Sequence, residues 1–529
     1  MAADVFRSRV PEWLIRLTIV LVMLPTVMLF ALSVANVNAA AGYYGAEPAD
    51  VQFSMLLFYA AVACFPPLER RFFSRIATKE YFLLCLVLQV LVTWCCYETR
   101  EIPVLFIGRF LQGMINCGVT SICLTLLFGR LRSEYSRETG YAIFYGMILC
   151  SAPLTSLLSA PLVDNFEYPV LYKAIIFTFM PGAVLLLLLM RNVRLSPKTP
   201  LYQLDGSSFI LYAALLVGIG YVLVYGQQYY WLEDPRISGV LMAILLLAMG
   251  YGIRQYRRKR PFMHLGIFRS KGFLLGALLL AILYIIRGSL NITTAYFANV
   301  LGMDPYNLYE LLLFNIGGIV AGIFCSSAMV KRKRPMQLIW MIGFGLMGVF
   351  HVWMYFLFSA QADAMTFVWP LVLQGVGAGM LMTPIILFMV SAVPEHMSQS
   401  AASAGVFIRF ACFSASIALI NYGQLFFSRT HAMRLSDHLS GVDEGVQERL
   451  YVYRAALQYR GMGSDQAAKA AQGLLDRATQ QQAFLHFAMD YYEMITLLII
   501  AVMCLIVTAP FINRILINVR SKQPAAATF

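Results

Sequence analysis

The sequence predicts an all-α integral membrane protein with 14 transmembrane helices in a 6+2+6 order and both termini cytoplasmic. Composition, span-length apolar runs and the placement of basic residues carry this. The 529 residues are 60% hydrophobic, with mean hydropathy +0.70. Only 13% are charged, about half the share of an ordinary globular chain. Apolar runs of about 20 residues, the length that crosses a bilayer, recur along the whole chain. Basic residues also fall on alternate joints between those runs.

In chain order the predicted spans are 13–41, 50–75, 79–97, 101–130, 138–163, 168–190, 207–227, 236–256, 270–300, 304–330, 335–359, 363–392, 398–427 and 488–516. The first begins after basic residues and ends at "NAAAG" (Asn38–Gly42), which is similar to a signal peptide. Its apolar run from Trp13 exceeds a 7–15 residue signal core, so it is read as a span. Arg7 and Arg9, then Arg70, Arg71, Arg75 and Lys79, then Arg130, Arg132 and Arg137, lie on one side. Arg191, Arg194 and Lys198, "RQYRRKR" (Arg254–Arg260), "KRKR" (Lys331–Arg334), and Arg514, Arg520 and Lys522 continue that side. The opposite joints are acidic or neutral, so the positive-inside rule puts the basic side in the cytoplasm. The net charge of +13 is therefore a topological signal and not a nucleic-acid surface.

Composition breaks at Arg191–Leu204 and Arg254–Lys271 divide the chain. The expected units are a six-helix bundle over 1–190, a linker with two inserted spans over 191–271, and a second six-helix bundle over 272–529. The gap 428–487 is placed outside the membrane and is expected to hold two short amphipathic helices, the second capped by Ser464 or Asp465. The ten cysteines lie in or at the ends of spans and read as small apolar residues. The six histidines are scattered, with no His-x-x-x-His pair for a metal, and no glycine loop for a nucleotide is present. A membrane-embedded enzyme is thereby disfavoured and no cofactor is expected.

Several stretches together resemble the fourteen-helix drug:proton antiporter branch of the major facilitator superfamily, the EmrB/QacA type. They are "SVANVN" (Ser33–Asn38), "RFLQG" (Arg109–Gly113), Gly226, Gln227 and Trp231, "PFMHLGIFRSKGF" (Pro261–Phe273), "LQGVGAGMLMTP" (Leu373–Pro384) and "SAASAGVFIRF" (Ser400–Phe410). The resemblance implies two bundles around a central cavity, export of amphipathic small molecules from the bacterial inner membrane by alternating access, and the proton gradient as the energy source. In Gram-negative relatives it also implies a periplasmic adaptor and an outer-membrane channel. The chain departs from the pattern where the family's acid falls on Ala31. The loop motif after the second span and the paired glycines of the fifth are likewise degraded.

Charges inside hydrocarbon are costly and mark pathways. Arg109, Gln112, Asn116 and Thr120 share about a third of the circumference of the fourth helix at 100° per residue. Tyr284, Arg287, Asn291 and Thr294 repeat that stripe on the ninth. With Asn36, these stripes are the expected cavity lining. The alternative is that each arginine ties helices together structurally. Arg109 and Ala31 are level, so Arg109 lacks the partner that the family's acid would supply. Glu310 leads the proton-coupling candidates, with Asp490 and Glu69 behind it. Glu69 is expected at the cytoplasmic mouth, as a solvated anchor or as part of a gate with the neighbouring bundle, and Asp490 with Glu493 at the outer start of the last span, as solvated helix-start acids or an entry or exit pair. Gly113, Gln374, Gly375 and Pro384 are motif positions expected to serve packing and motion, and Arg409 is expected to contact backbone carbonyls near the cytoplasmic side. Deep positions hold more arginine than acid, which makes export or flipping of an anionic or lipid-like compound the alternative reading. A non-transporting sensor is more distant.

Overall fold

The computed structural model describes residues 5–7, 10–131, 135–194, 204–258, 261–437, 439 and 443–509. Arg9, Arg132, Lys198, Lys259, Arg260, Arg514, Arg520 and Lys522 lie outside the described residues. Among those described, helix is the only regular structure apart from an isolated bridge between Phe6 and Met190. This is the outcome hydrocarbon demands of a chain whose backbone must satisfy itself.

The first half contains α1 (Glu12–Ala35), α2 (Val37–Tyr44), α3 (Pro48–Cys64), α4 (Pro66–Arg75), α5 (Thr78–Glu98), α6 (Ile102–Arg130), α7 (Ser136–Asn165) and α8 (Val170–Leu189). A pair follows, α9 (Gly206–Tyr225) and α10 (Pro235–Arg257). The second half is α11 (Lys271–Asn299), α12 (Pro305–Lys331), α13 (Met336–Leu357), α14 (Val368–Ser391), α15 (Ser398–Asp437), α16 (Glu444–Tyr459) and α17 (Ser464–Thr508). Thirteen helices can each span a membrane, and α3 with α4 makes the fourteenth through a 58° bend. The bend falls at Phe65 because Pro66 and Pro67 remove backbone donors, and the residue before a proline resists helix.

Polar residues set the helix ends. Glu47 and Asp50 form a reciprocal capping box around Pro48. Asp234 and Asp304 each cap a helix with proline at its first position. Lys79 donates to the carbonyls of Leu187 (2.7 Å) and Met190 (3.2 Å), closing the end of α8.

Asp205 caps α9 through the Ser208 amide at 3.2 Å and binds Arg254 (3.0 Å) and Arg258 (2.7 Å) at the end of α10. Partial burial pushes this carboxyl up. The Ser208 and Arg254 hydrogen bonds and the Arg258 charge outweigh that and hold it below the usual carboxylate range. A group with a lowered folded value stabilises above its unfolded value of about 3.9 and loses that contribution as pH falls through the folded value. Asp205→Asn should therefore lower stability by about 1 kcal/mol, equally at pH 6 and pH 8. Thermal unfolding at the two pH values checks this.

The connection expected to hold two short helices is mostly consumed by its neighbours. α15 runs for 40 residues and α17 for 45, or roughly 60 and 67 Å against a hydrocarbon core of about 30 Å. Only α16 is a separate helix there, and Gly463, not Ser464 or Asp465, is the N-cap of α17. The reason is compositional: "SDQAAKAAQGLLDRATQQQAFL" contains strong helix formers and no proline, so nothing ends the helix before the span begins.

α12 and α14 pack most closely of all. A Cβ on Gly375 would collide with the Asn315 carbonyl, on Gly379 with that of Ile319, on Gly318 with that of Val372 and on Gly322 with that of Val376. Two glycine pairs, each spaced by four residues, thus interlock face to face. The halves meet where α3 packs on α15 and α7 on α12. α9 lies against α3 and α15, while α10 touches mainly α9 and exposes Met242, Leu245, Leu246 and Met249.

Candidate functional site

Counting 1.5 Å per residue, Tyr59 on α3, Arg287 on α11 and Arg409 on α15 lie roughly 16–18 Å from their helix ends, at mid-membrane depth. They meet at the seam between the halves. The Arg409 guanidinium stacks over the Tyr145 ring of α7 at 5.1 Å, and its Nε donates to the Gly405 carbonyl at 3.3 Å. Tyr59, Tyr284 and Tyr141 also lie within its electrostatic reach. Arg287 faces the same group, with Tyr284, Cys150 and Tyr59 as its neighbours. Its Nε is buried without a hydrogen-bond partner, although the residue as a whole is partly exposed.

Apolar rings form one wall of this seam. Phe30 packs on Tyr59 (5.1 Å between centroids) and on Phe413 (6.0 Å), and Tyr59 packs on Phe410 (5.9 Å) and Phe413 (5.8 Å). Phe30 and Tyr59 come from the first half, Phe410 and Phe413 from the second. Along α11 the surface continues as Arg287, the exposed Asn291 and the partly exposed Thr294. That stripe keeps the common face expected from its spacing. No carboxylate pairs with Arg287 or Arg409 among the described residues.

Arg109 sits elsewhere. It is fully buried within the first half, donates to the Leu29 carbonyl (3.3 Å) and to Gln112 (3.0 Å), and lies 4.8 Å from the Phe58 ring centroid. Gln112 continues to Thr93 of α5 (3.2 Å), and Asn116 donates to the Thr26 carbonyl of α1 (2.7 Å). The α6 stripe therefore joins α1, α5 and α6 and differs from the cavity-lining position expected of it. Matching depth with Ala31 gave the right level on the helix but not the direction. Asn36 is buried too, and accepts from Ser159 of α7 at 3.0 Å where α1 breaks into α2.

The acids are also redistributed. Glu69, expected to be solvated, is 1% exposed. The Ser121 and Tyr81 hydroxyls and the Arg70 guanidinium surround it, yet its Oε1 has no hydrogen-bond partner. The bend before α4 turns Glu69 inward. Glu310, the leading proton-coupling candidate, is exposed near the start of α12. Asp490 is exposed and bonds His431 at 2.8 Å. Glu138, which sequence reasoning did not single out, is 1% exposed and faces Lys331 at 3.8 Å.

At the basic end, Arg70 donates to Gln399 of α15 (2.6 Å) and the Tyr135 hydroxyl to the Lys331 carbonyl (3.1 Å). At the other end, Asn421 donates to Gln52 at 2.9 Å. Polar links thus cross the seam on either side of the arginine and tyrosine cluster. The motif residues serve packing: Gly113 receives the Phe58 carbonyl of α3, Gln374 accepts from Asn315 at 2.5 Å, and Pro384 is buried inside α14. A depression of about 380 Å³ lined by Gly42, Tyr43, Arg100, Glu167 and Tyr168 lies on the rim of the first half, away from the seam.

A multi-pass membrane protein with a polar and aromatic cluster at mid-membrane, contributed by both halves, has the layout of a transporter, and its family match places it among transporters rather than enzymes. The Major Facilitator Superfamily profile matches residues 18–418, and the chain belongs to that superfamily. It is similar to the colistin resistance protein EmrB of Acinetobacter baumannii, 21% identical over 402 residues, covering 74% of this chain and 76% of that protein. The probable multidrug resistance protein EmrY of Escherichia coli is 20% identical, covering 75% and 77% of the two chains. The tetracenomycin C resistance and export protein of Streptomyces glaucescens is 23% identical over 294 residues, 55% of this chain and 53% of that one. Among solved structures, a peptide transporter POT bound to alafosfalin shares the fold with a TM-score of 0.60 at 13% identity, covering 96% of both chains. A bacterial homologue of the lysosomal transporter Spinster, inward-facing and unoccupied, does so with a TM-score of 0.55 at 12% identity, covering 98% of this chain and 100% of that one.

Proposed function

We propose that the protein exports amphipathic organic compounds across the bacterial inner membrane by alternating access, driven by inward proton movement. The observation that carries this reading is the seam at mid-membrane. Arg287, Arg409, Tyr59, Tyr145 and Tyr284 come from four helices in two halves, so a compound held there touches both. Rocking one half against the other would then break the Arg70–Gln399 link at one end or the Asn421–Gln52 link at the other. The basic end is assigned to the cytoplasm, and the relatives' names supply resistance and export as the physiological setting.

Glu69 is assigned as the proton carrier. It is buried, holds an unbonded carboxyl oxygen, and adjoins Arg70, which reaches the other half. Protonation removes the negative charge facing Arg70 and thereby alters the link to Gln399. Exposed Glu310 and Asp490 sit toward the opposite end, where protons would be collected. The projecting α15, α16 and α17 are the surface assigned to a periplasmic adaptor leading to an outer-membrane channel. In proteoliposomes with an imposed pH gradient, a fluorescent amphipathic substrate should move only while the gradient lasts. Equal movement with the gradient collapsed overturns the reading.

A further inference from the structure

We infer that Arg287 and Arg409 form the recognition site for the charged end of an organic anion whose apolar body lies on Phe30, Phe410 and Phe413. The inference rests on the proposed export function and specifies its substrate class. Arg109 shows what a structural arginine looks like in this fold: it is enclosed in one half and bonded to the Leu29 carbonyl and Gln112. Both arginines keep buried guanidinium nitrogens without a partner, Nε and Nη2 in Arg109 and Nε in Arg287. Arg287 differs in place and exposure: it faces Cys150 and Tyr59 of the other half and remains partly exposed.

Arg409 lies in the same seam, where its Nε donates to the Gly405 carbonyl and no carboxylate pairs with it among the described residues. The Tyr145 ring beneath it and the neighbouring Tyr59, Tyr284 and Tyr141 supply partial negative charge without a carboxylate. Two guanidiniums in a low-dielectric enclosure focus a positive potential that would repel a cation. Their planar N–H groups match a carboxylate, sulfonate or phosphate in paired hydrogen bonds, and tyrosine hydroxyls can donate to the same oxygens. The adjacent rings from both halves offer a flat apolar surface for an aromatic body.

The test uses the full-length protein in phosphatidylcholine nanodiscs and a matched pair of probes, 2-naphthalenesulfonate and trimethyl-2-naphthylammonium, titrated by calorimetry. The sulfonate should bind at least about tenfold more tightly than the ammonium ion. Arg287→Gln should weaken the sulfonate by about 10- to 100-fold, the value of charged hydrogen bonds lost, and leave the ammonium ion unchanged or tighter. Arg287→Lys should restore part of the loss. Tyr59→Phe, which keeps the ring packing, should cost the sulfonate a few-fold and covers the case in which Arg409→Gln fails to fold. Displacement of the sulfonate by added phosphatidylglycerol would assign the anion to a lipid headgroup; no displacement assigns it to a water-soluble compound.

Equal or tighter binding of the ammonium ion, or an unchanged sulfonate affinity in Arg287→Gln, overturns the inference. Binding is measured without a gradient, so its outcome is separate from that of the export reading. Gradient-driven export of neutral compounds with no sulfonate binding would defeat this inference alone.

Discussion

Glu69→Gln should cut gradient-driven accumulation about 5- to 150-fold while leaving substrate binding intact. The side chain is 1% exposed, its Oε1 has no hydrogen-bond partner, and Arg70 beside it links to Gln399 across the seam. Glutamine keeps the shape and removes the titration. If this carboxyl couples proton binding to the movement of the halves, its loss removes a coupling free energy of the usual 1–3 kcal/mol, an effect of about 5- to 150-fold on gradient-driven flux. Flux in proteoliposomes under an imposed pH gradient, compared with calorimetric binding of the same substrate, separates coupling from recognition. Glu310→Gln is the comparison, because Glu310 is exposed near the end of α12. A larger loss in Glu310→Gln than in Glu69→Gln would transfer the coupling role outward.

The second large effect is on stability. Gly375→Leu should prevent recovery of folded protein, because the Asn315 carbonyl occupies the space of even a Cβ. Overpacking typically costs about 1–3 kcal/mol. Here the obstacle is backbone on α12, with the same close approach repeated at Gly318, Gly322 and Gly379, so neither helix can retreat locally. Gly317→Ala provides the contrast, since nothing lies within 4 Å of the added methyl. It should be neutral or raise stability by up to about 1 kcal/mol through helix propensity. Yield on size-exclusion chromatography and the midpoint of thermal unfolding measure both.

The spans were legible because hydrocarbon imposes a minimum apolar length and leaves the backbone few options. The polar stripe of α11 could be read from spacing alone, since Arg287, Asn291 and Thr294 follow one helical face. Spacing fixes a face but not what it faces, and the similar α6 stripe turns into its own half and ties α1 and α5. Glu69 turns inward from the solvated mouth expected of it because Pro66 and Pro67 bend the span by 58°, which hydropathy along the chain does not register. Tyr59 and Tyr145 carried no local signal. Their importance comes from converging on Arg409 from separate helices, a property of the tertiary fold. α15 and α17 were underestimated because hydropathy registers where the apolar stretch begins, whereas helix propensity decides where the helix begins.

The lengths of α15 and α17 have a mechanical consequence. Both belong to the second half and continue well past the membrane as one antiparallel pair joined to α16. About 30 Å of each helix lies beyond a hydrocarbon core of about 30 Å. A stiff extension of that length is a lever arm: tilting the second half by about 10° would sweep its tip through about 5 Å. The state of a site buried at the bilayer centre would then be displayed as a displacement outside it, where another protein could read it.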